Sequence, residues 1–485
     1  MHLGEAGQPT DTLGGMFSGM CVVPGSVRHV SDGSVSGELL ALADRGFADG
    51  IVTYTPRFHR VGFTLAPGNS ANAGTLELRL LATTLFAYRP DGDGTPLMNF
   101  RGGDPGQGPF AAETTRSWPS PPVLPFFDPE GITAAAGPAG QGIAFIYVSE
   151  EYGPSVYQFS ADGVLMSVFE RPASAIPQDK VPGPQAGVYR PCFGTRAEPE
   201  FGRRANRGLE GVTLTPDGKR LIGMMQGPLI QDGGADNAAT VTRIYEWNAD
   251  ASSPEFGRLT GEYVTELPTY AIGKTGNRKA APCSEVLAIS QTMLLAIERD
   301  NLGNGADDDD APLYKNINLI SLAGANNLLQ TPYAQGAGPG LAGKSLANFA
   351  RGLSPGMVPA ARTEIINMLE PTALAALGLN ARGGTAAKPA AERPAGPTAD
   401  SNTLPEKWEG LALIPASADA ATSGEHYLFV GVDNDFKSPK VSFDGKVVGQ
   451  SRFTVDSMVV VYKVRLDLPP KRTAGPKGTE TDQPK

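Results

Sequence analysis

Apolar residues along this chain fall in short runs of strand type, each closed off by turn residues, and the runs recur as units. Pro-Glu-Gly-Ile-Thr at 129–133, Leu-Glu-Gly-Val-Thr-Leu at 209–214 and Trp-Glu-Gly-Leu-Ala-Leu at 408–413 share one pattern. Phe-Ser-Gly-Met-Cys-Val at 17–22 and Cys-Ser-Glu-Val-Leu-Ala-Ile at 283–289 are weaker relatives. Each opens a unit, and a second strand follows after a turn. The clearest hairpin turns on Pro216-Asp217-Gly218, where proline pre-sets φ and glycine accepts a positive one. Further strands follow: 61–65 and 76–88 in the first unit, 156–159 and 165–169 in the second, 241–247 and 259–267 in the third. The fourth continues with 316–322 and 363–369, the fifth with 458–466.

Four strands per unit, repeated about an axis, make propeller blades. The expected fold is all-β, a β-propeller of four-stranded blades. Five blades can be counted and the range is five to seven, since long insertions at 91–125, 172–207, 323–360 and 376–405 leave room for more. The propeller spans 17–466, between an N-terminal segment 1–16 and a tail 467–485, rich in Pro, Lys, Thr and Gly, that is expected to be disordered. A short helix is expected near 371–379.

Composition narrows the function classes. Gly 60 and Pro 42 suit many turns, and a hydrophobic share of 40% suffices for a core. The net charge is −10 and no basic stripe is visible, which sets nucleic-acid binding aside and favours a cationic partner such as a metal ion. No apolar stretch is long enough for a membrane span. The chain opens Met1-His2-Leu3-Gly4 without a secretory signal, which leaves a removed signal open. Cys21, Cys192 and Cys283 are too few for a disulfide scaffold or a zinc site; a Cys192–Cys283 disulfide and three free thiols both remain open. His2, His29, His59 and His426 lie in unrelated contexts, and no nucleophile elbow, Walker loop or dinucleotide fingerprint occurs.

The acidic residues carry the chemistry. In a blade the innermost strand lines the channel and the second runs back beside it, so the start of one and the end of the other share a face. Antiparallel pairing then sets Glu130 opposite Glu150, Glu285 opposite Glu298, Glu409 opposite Asp433 and Ser18 opposite Asp44, each pair centred on a turn. Glu151, Asp300 and Asp435 extend the acidic strand ends. Carboxylates about 5 Å apart across a ladder need protons, cations or a metal. Oxygen ligands with few histidines favour Ca²⁺ over zinc. The candidate metal ligands are therefore Asp44, Glu130, Glu150, Glu151, Glu285, Glu298, Asp300, Glu409, Asp433 and Asp435. Arg45, Arg299 and Lys315 are read as internal salt-bridge partners or anion contacts. The third unit departs from the pattern, ending its second strand in Met224-Met225-Gln226. In the fourth, Glu285 falls one residue late, a slip that turns a side chain to the other face. Asp307–Asp310 reads as a solvated loop or as further metal ligands.

Six motifs in order carry a resemblance: Asp-Pro-Glu-Gly-Ile-Thr at 128–133, Val-Ser-Glu-Glu-Tyr-Gly-Pro at 148–154, Asn-Arg-Gly-Leu-Glu-Gly-Val-Thr-Leu-Thr-Pro-Asp-Gly-Lys at 206–219, Ala-Ile-Glu-Arg-Asp-Asn at 296–301, Lys-Trp-Glu-Gly-Leu-Ala-Leu at 407–413 and Gly-Val-Asp-Asn-Asp-Phe at 431–436. Together they resemble the bacterial phytase-like, or "esterase-like activity of phytase", family over about 17–466. The resemblance implies a secreted or periplasmic propeller, a phosphoesterase in the style of Ca²⁺-dependent propeller phytases. The expected function is thus a Ca²⁺-dependent hydrolase of phosphoesters, monomeric and acting on a small molecule. Arg45 and Arg299 would clamp phosphate and Glu210 would assist catalysis, with no general base assigned. Two alternatives stay open: a Ca²⁺-dependent lactonase or other carboxylester hydrolase, and a non-enzymatic ligand-binding propeller with structural Ca²⁺.

Overall fold

In the computed structural model, runs that are apolar on both faces become the strands of five antiparallel sheets. The structure describes residues 14–46, 54–68, 74–89, 94–103, 126–181, 188–192, 198–234, 239–272, 277–306, 310–341, 358–383, 400–418, 424–437, 441–443, 446–449 and 454–466. The segment 1–13, the tail 467–485 and Asp307–Asp309 lie outside them.

The first blade is β1 (Met16–Val22), β2 (Val35–Ala43), β3 (Arg57–Ala66) and β4 (Thr75–Leu85). The second is β5 (Pro129–Ala136), β6 (Ile143–Glu150), β7 (Ser155–Ser160) and β8 (Leu165–Val168). The third is β9 (Leu209–Leu214), β10 (Arg220–Met225), β11 (Val241–Asn248) and β12 (Leu259–Glu266). The fourth is β13 (Cys283–Ala288), β14 (Met293–Arg299), β15 (Lys315–Ser321) and β16 (Ala361–Asn367). The fifth, β17 (Trp408–Pro415), β18 (Glu425–Val432) and β19 (Val459–Arg465), has three strands among the described residues.

Side-chain alternation explains the ring. On β2, Leu40 and Leu42 pack with Phe127, Ile146 and Phe159 toward the second blade, while Leu39 and Ala41 pack with Phe63, Ile414 and Phe429 toward the fifth. Equivalent cores join the second to the third blade through Tyr147, Leu221 and Trp247, the third to the fourth through Met224, Val286 and Leu294, and the fourth to the fifth through Leu295, Trp408 and Val430. Among the described residues no strand is shared between the first and fifth blades; side chains such as Phe17 and Met20 of β1 close the ring.

The short helix α1 (Pro371–Ala376) forms where expected, its first turn capped by Glu370, which accepts a hydrogen bond from the Ala373 N–H (2.7 Å). The cysteines are free: Cys21 and Cys283 are buried in β1 and β13, and Cys192 is partly exposed, so the open question of a Cys192–Cys283 disulfide resolves as unpaired thiols.

Candidate active site at the channel mouth

One local device repeats in all five blades. The register of the first strand against the second shifts at its start, between Met16 and Gly19, Pro129 and Ile132, Leu209 and Val212, Cys283 and Glu285, and Trp408 and Gly410. These β-bulges contain Ser18, Glu130, Glu210, Ser284 and Glu409, residues that oppose no partner. The pairings expected from antiparallel arithmetic are corrected accordingly. Glu150 faces Pro129, Glu298 faces Cys283, and Asp433 and Asp44 lie one residue beyond the Trp408–Val432 and Met16–Ala43 pairs.

Glycine follows the bulge residue in four blades, and there it is required by close approach. A Cβ on Gly131 would stand 2.5 Å from the Val212 nitrogen, one on Gly19 2.7 Å from the Glu130 carbonyl oxygen, and one on Gly211 2.4 Å from the Val286 nitrogen. In the fourth blade this position is Glu285. Its buried side chain accepts a hydrogen bond from its neighbour Val286 (2.9 Å) and lies near the backbone of Met20 in the first blade. The first and fourth blades are not neighbours in a ring of five, so Glu285 reaches toward Met20 across the axis.

The carboxylates gather in connected groups. Oxygens of Asp44, Asp433 and Asp435 lie within 4.8 Å of one another, as do those of Asp128, Glu130 and Glu151. Glu210 accepts a hydrogen bond from the Gln226 amide (2.8 Å), and Arg299 donates to Glu409 (2.5 Å). Cations are threaded between: Lys407 at 3.3 Å from Asp435 and 3.6 Å from Asp433, and Arg45 at 2.7 Å from Asp128 and 3.7 Å from Glu151.

Burial, followed by the charge of Glu409, pushes the Glu210 carboxyl up to about 8. Burial and then Glu210 raise Glu130 well above the carboxylate range, and burial raises Asp44 to about 7. Burial opposes the Asp435 charge too, yet Lys407 and Lys437 hold it down to about 2. Adjacent carboxyls thus sit in opposite protonation states near neutral pH.

Not every predicted residue joins this group. The Glu150 carboxylate is occupied by the backbone N–H groups of Tyr152 (3.2 Å) and Gly153. Glu298 pairs with Arg362 and Asn318. Asp300 accepts from Lys315 (3.0 Å) and from the Tyr314 N–H (2.8 Å). These three acids fasten local structure. Asp128, Gln226 and Lys407 were not read as site residues. Asp128 and Lys407 stand two residues before a bulge glutamate, and residues two apart on an extended strand share a face, so that spacing was the available signal.

The donor set fits a hard cation. Among the described residues, Glu151 Oε2, Glu210 Oε2, Glu285 Oε2, Glu409 Oε2 and Asp433 Oδ2 are buried without a hydrogen-bond partner. A buried carboxylate oxygen left in that state is costly, and oxygen-only donors suit Ca²⁺ or Mg²⁺.

Comparison with known proteins adds three findings. A family profile described as "Phytase-like: Esterase-like activity of phytase" matches residues 29–436. An uncharacterized secreted protein of Arthroderma benhamiae is 29% identical over 460 residues, covering 88% of this chain and 83% of its own length. Among solved structures, a candidate glycosidase from Bacteroides thetaiotaomicron shows 9% identity and a TM-score of 0.27, with 91% of this chain and 86% of that one covered; a likeness at that score carries no argument. Among the described residues no helix is long and apolar enough to cross a membrane.

Proposed function

The chain belongs to the phytase-like, "esterase-like activity of phytase", family, and from that premise we propose that its acidic mouth is the active site of a secreted or periplasmic hydrolase that binds Ca²⁺ and cleaves a phosphoester. The observation that carries this reading is that the two acid triads stand beside buried carboxylate oxygens of Glu151, Glu210, Glu409 and Asp433 that have no hydrogen-bond partner. Asp44, Asp433 and Asp435 would hold one ion, and Asp128, Glu130 and Glu151 another, with Glu210 and Glu409 between them. Bound there, Ca²⁺ supplies charge neutralisation for phosphate oxygens and a more acidic bound water.

The chain's own groups do the rest. Arg299 is held by Glu409 through one end of its guanidinium and by Asn301 through the other, which fixes its positive charge beside the carboxylates. Arg45 is anchored on Asp128 and presents a second cationic edge. Glu210, titrating near 8 beside a neutral amide, can hold or release a proton close to neutral pH and is the proton-transfer group.

The test is calorimetric titration of chelator-treated protein with Ca²⁺, followed by assays on phosphomonoesters and lactones. Ca²⁺-dependent phosphate release is expected. Ca²⁺-dependent lactone opening without phosphate release would move the assignment to carboxylester hydrolysis, and the absence of Ca²⁺ binding would overturn the metal site.

A further inference from the structure

The outer strand of each blade has a second edge that can template pairing with another strand. In the second blade that strand, β8, is only four residues long. In the third, the edge of β12 is capped. The Glu262 N–H donates to Asn327 (3.0 Å), and the Glu262 and Val264 carbonyls accept from the N–H groups of Leu328 (2.6 Å) and Ala360 (2.8 Å). The first blade differs. Its outer strand β4 runs for 11 residues, pairs with β3 alone among the described residues, and holds no proline or lysine. The backbone groups along its outer side meet no partner among those residues.

The side chains of β4 alternate. Leu76, Leu78 and Leu80 stand opposite Leu65, Phe63 and Val61 of β3; Leu76 packs onto the core there, while Leu78 and Leu80 are exposed. Glu77 and Arg79 take the other face, exposed and in no ion pair among the described residues. A second copy of this strand complements the first. Antiparallel pairing about a two-fold axis through Leu78 sets Leu76 opposite Leu80 and Glu77 opposite Arg79, each twice over. Centring on Glu77 or on Arg79 would place like charges directly opposite, and a centre between residues would set leucines against the charged row. Only centring at Leu78 joins leucine to leucine and charge to opposite charge. The bulge at Leu81, where the register against β3 shifts between Arg60 and Val61, ends the regular ladder on one side.

We propose that β4 is a homodimerisation edge, through which two copies of this chain join first blade to first blade in one continuous sheet, with Leu78 on the two-fold axis and a Glu77–Arg79 ion pair on either side of it. The monomer expected from the sequence is then the dissociated form. A ladder this short belongs to the small, weak class of interfaces, so dimer and monomer exchange. The interface lies on the outer rim and is independent of the reading of the mouth.

Charge exchange on the full chain, read by sedimentation velocity, tests both the interface and its register. At about 100 μM, a concentration suited to weak interfaces, wild type is expected to show dimer. Arg79→Glu should weaken association about tenfold or more, since each of the two ion pairs becomes a like-charge pair. Glu77→Arg should weaken it as well, although it reduces the net charge of −10 and would favour any non-specific association. The Glu77→Arg/Arg79→Glu double variant restores both ion pairs and should recover the dimer. An equimolar mixture of the two single variants should also recover it, as a heterodimer. Because both side chains are exposed and make no internal pair, all three variants should melt with wild type. A wild type that stays monomeric, or single variants that associate as wild type does, would overturn the proposal. Dimer lost in the single variants and regained in neither the double variant nor the mixture would overturn the register, and the proposal with it.

Discussion

At the scale of residues, the mouth joins groups that resist ionisation to groups that need it. Glu210, raised to about 8, and Asp44, raised to about 7, stay protonated in the folded protein at pH values where the unfolded chain has already lost those protons. Their contribution to stability is therefore complete below the ordinary carboxylate range, about 4, and is lost as pH rises toward about 8. The urea midpoint of metal-free protein should accordingly be lower at pH 8 than at pH 5, and Ca²⁺, by replacing the protons, should narrow the gap. A midpoint that rises across this window would remove the case for raised carboxyls. Two glutamates that look alike in the sequence should part company in thermal melts. Glu298→Gln breaks a buried pair with Arg362 and should cost about 3 kcal/mol while leaving stabilisation by Ca²⁺ intact. Glu210→Gln should cost little and should diminish that stabilisation, which for wild type at a hundredfold excess over Kd amounts to about 2.7 kcal/mol. Equal Ca²⁺ responses in the two variants would place the ion elsewhere.

At the scale of elements, the bulge and the glycine after it bring the inner strands together. Gly131→Ala puts a methyl group 2.5 Å from the Val212 nitrogen, backbone against backbone with no flexible side chain to yield, and should cost about 2 kcal/mol or more in denaturant unfolding. Gly62→Ala meets only Leu81 methyl groups at 3.4–3.6 Å and should be near neutral; matching midpoints for the two variants would refute the close-approach argument. The same bulge explains what could be read in advance. The repeat, the blade count and the gathering of Glu130, Glu210 and Glu409 at equivalent strand starts were legible because periodicity and turn residues are written locally. Which acid faced which was not, since an extra residue in one strand shifts every pairing sum while leaving composition almost unchanged. Hence Glu298 was expected at the mouth, where Arg299 stands instead. The displacement of Glu285 was visible as a one-residue slip, but its reach across the axis to Met20 depends on the other blades and has no local signal.

At the scale of the whole molecule, the closure between the first and fifth blades acquires a mechanical meaning. Among the described residues this junction has no interlocked strand. It is held by packing around Phe17 and Phe429, by a hydrogen bond from the Gly15 N–H to Asn434 (2.9 Å), and by Lys407 reaching toward Asp44. Among the described residues the propeller is a split ring, and Asp44 on one lip faces Asp433 and Asp435 on the other. Without an ion, Lys407 is the cation that reaches both lips, toward Asp44 on one and Asp433 and Asp435 on the other, while Lys437 pairs with Asp435. A cation gripped by all three would act as a clasp, so that loading the ion also fastens the hoop. Opening should then begin at this split in metal-free protein. Hydrogen exchange in Met16–Val22 should slow on Ca²⁺ addition by a larger factor than in Leu209–Leu214, which lies inside the arc; uniform slowing would mean that the hoop has no preferred place to open.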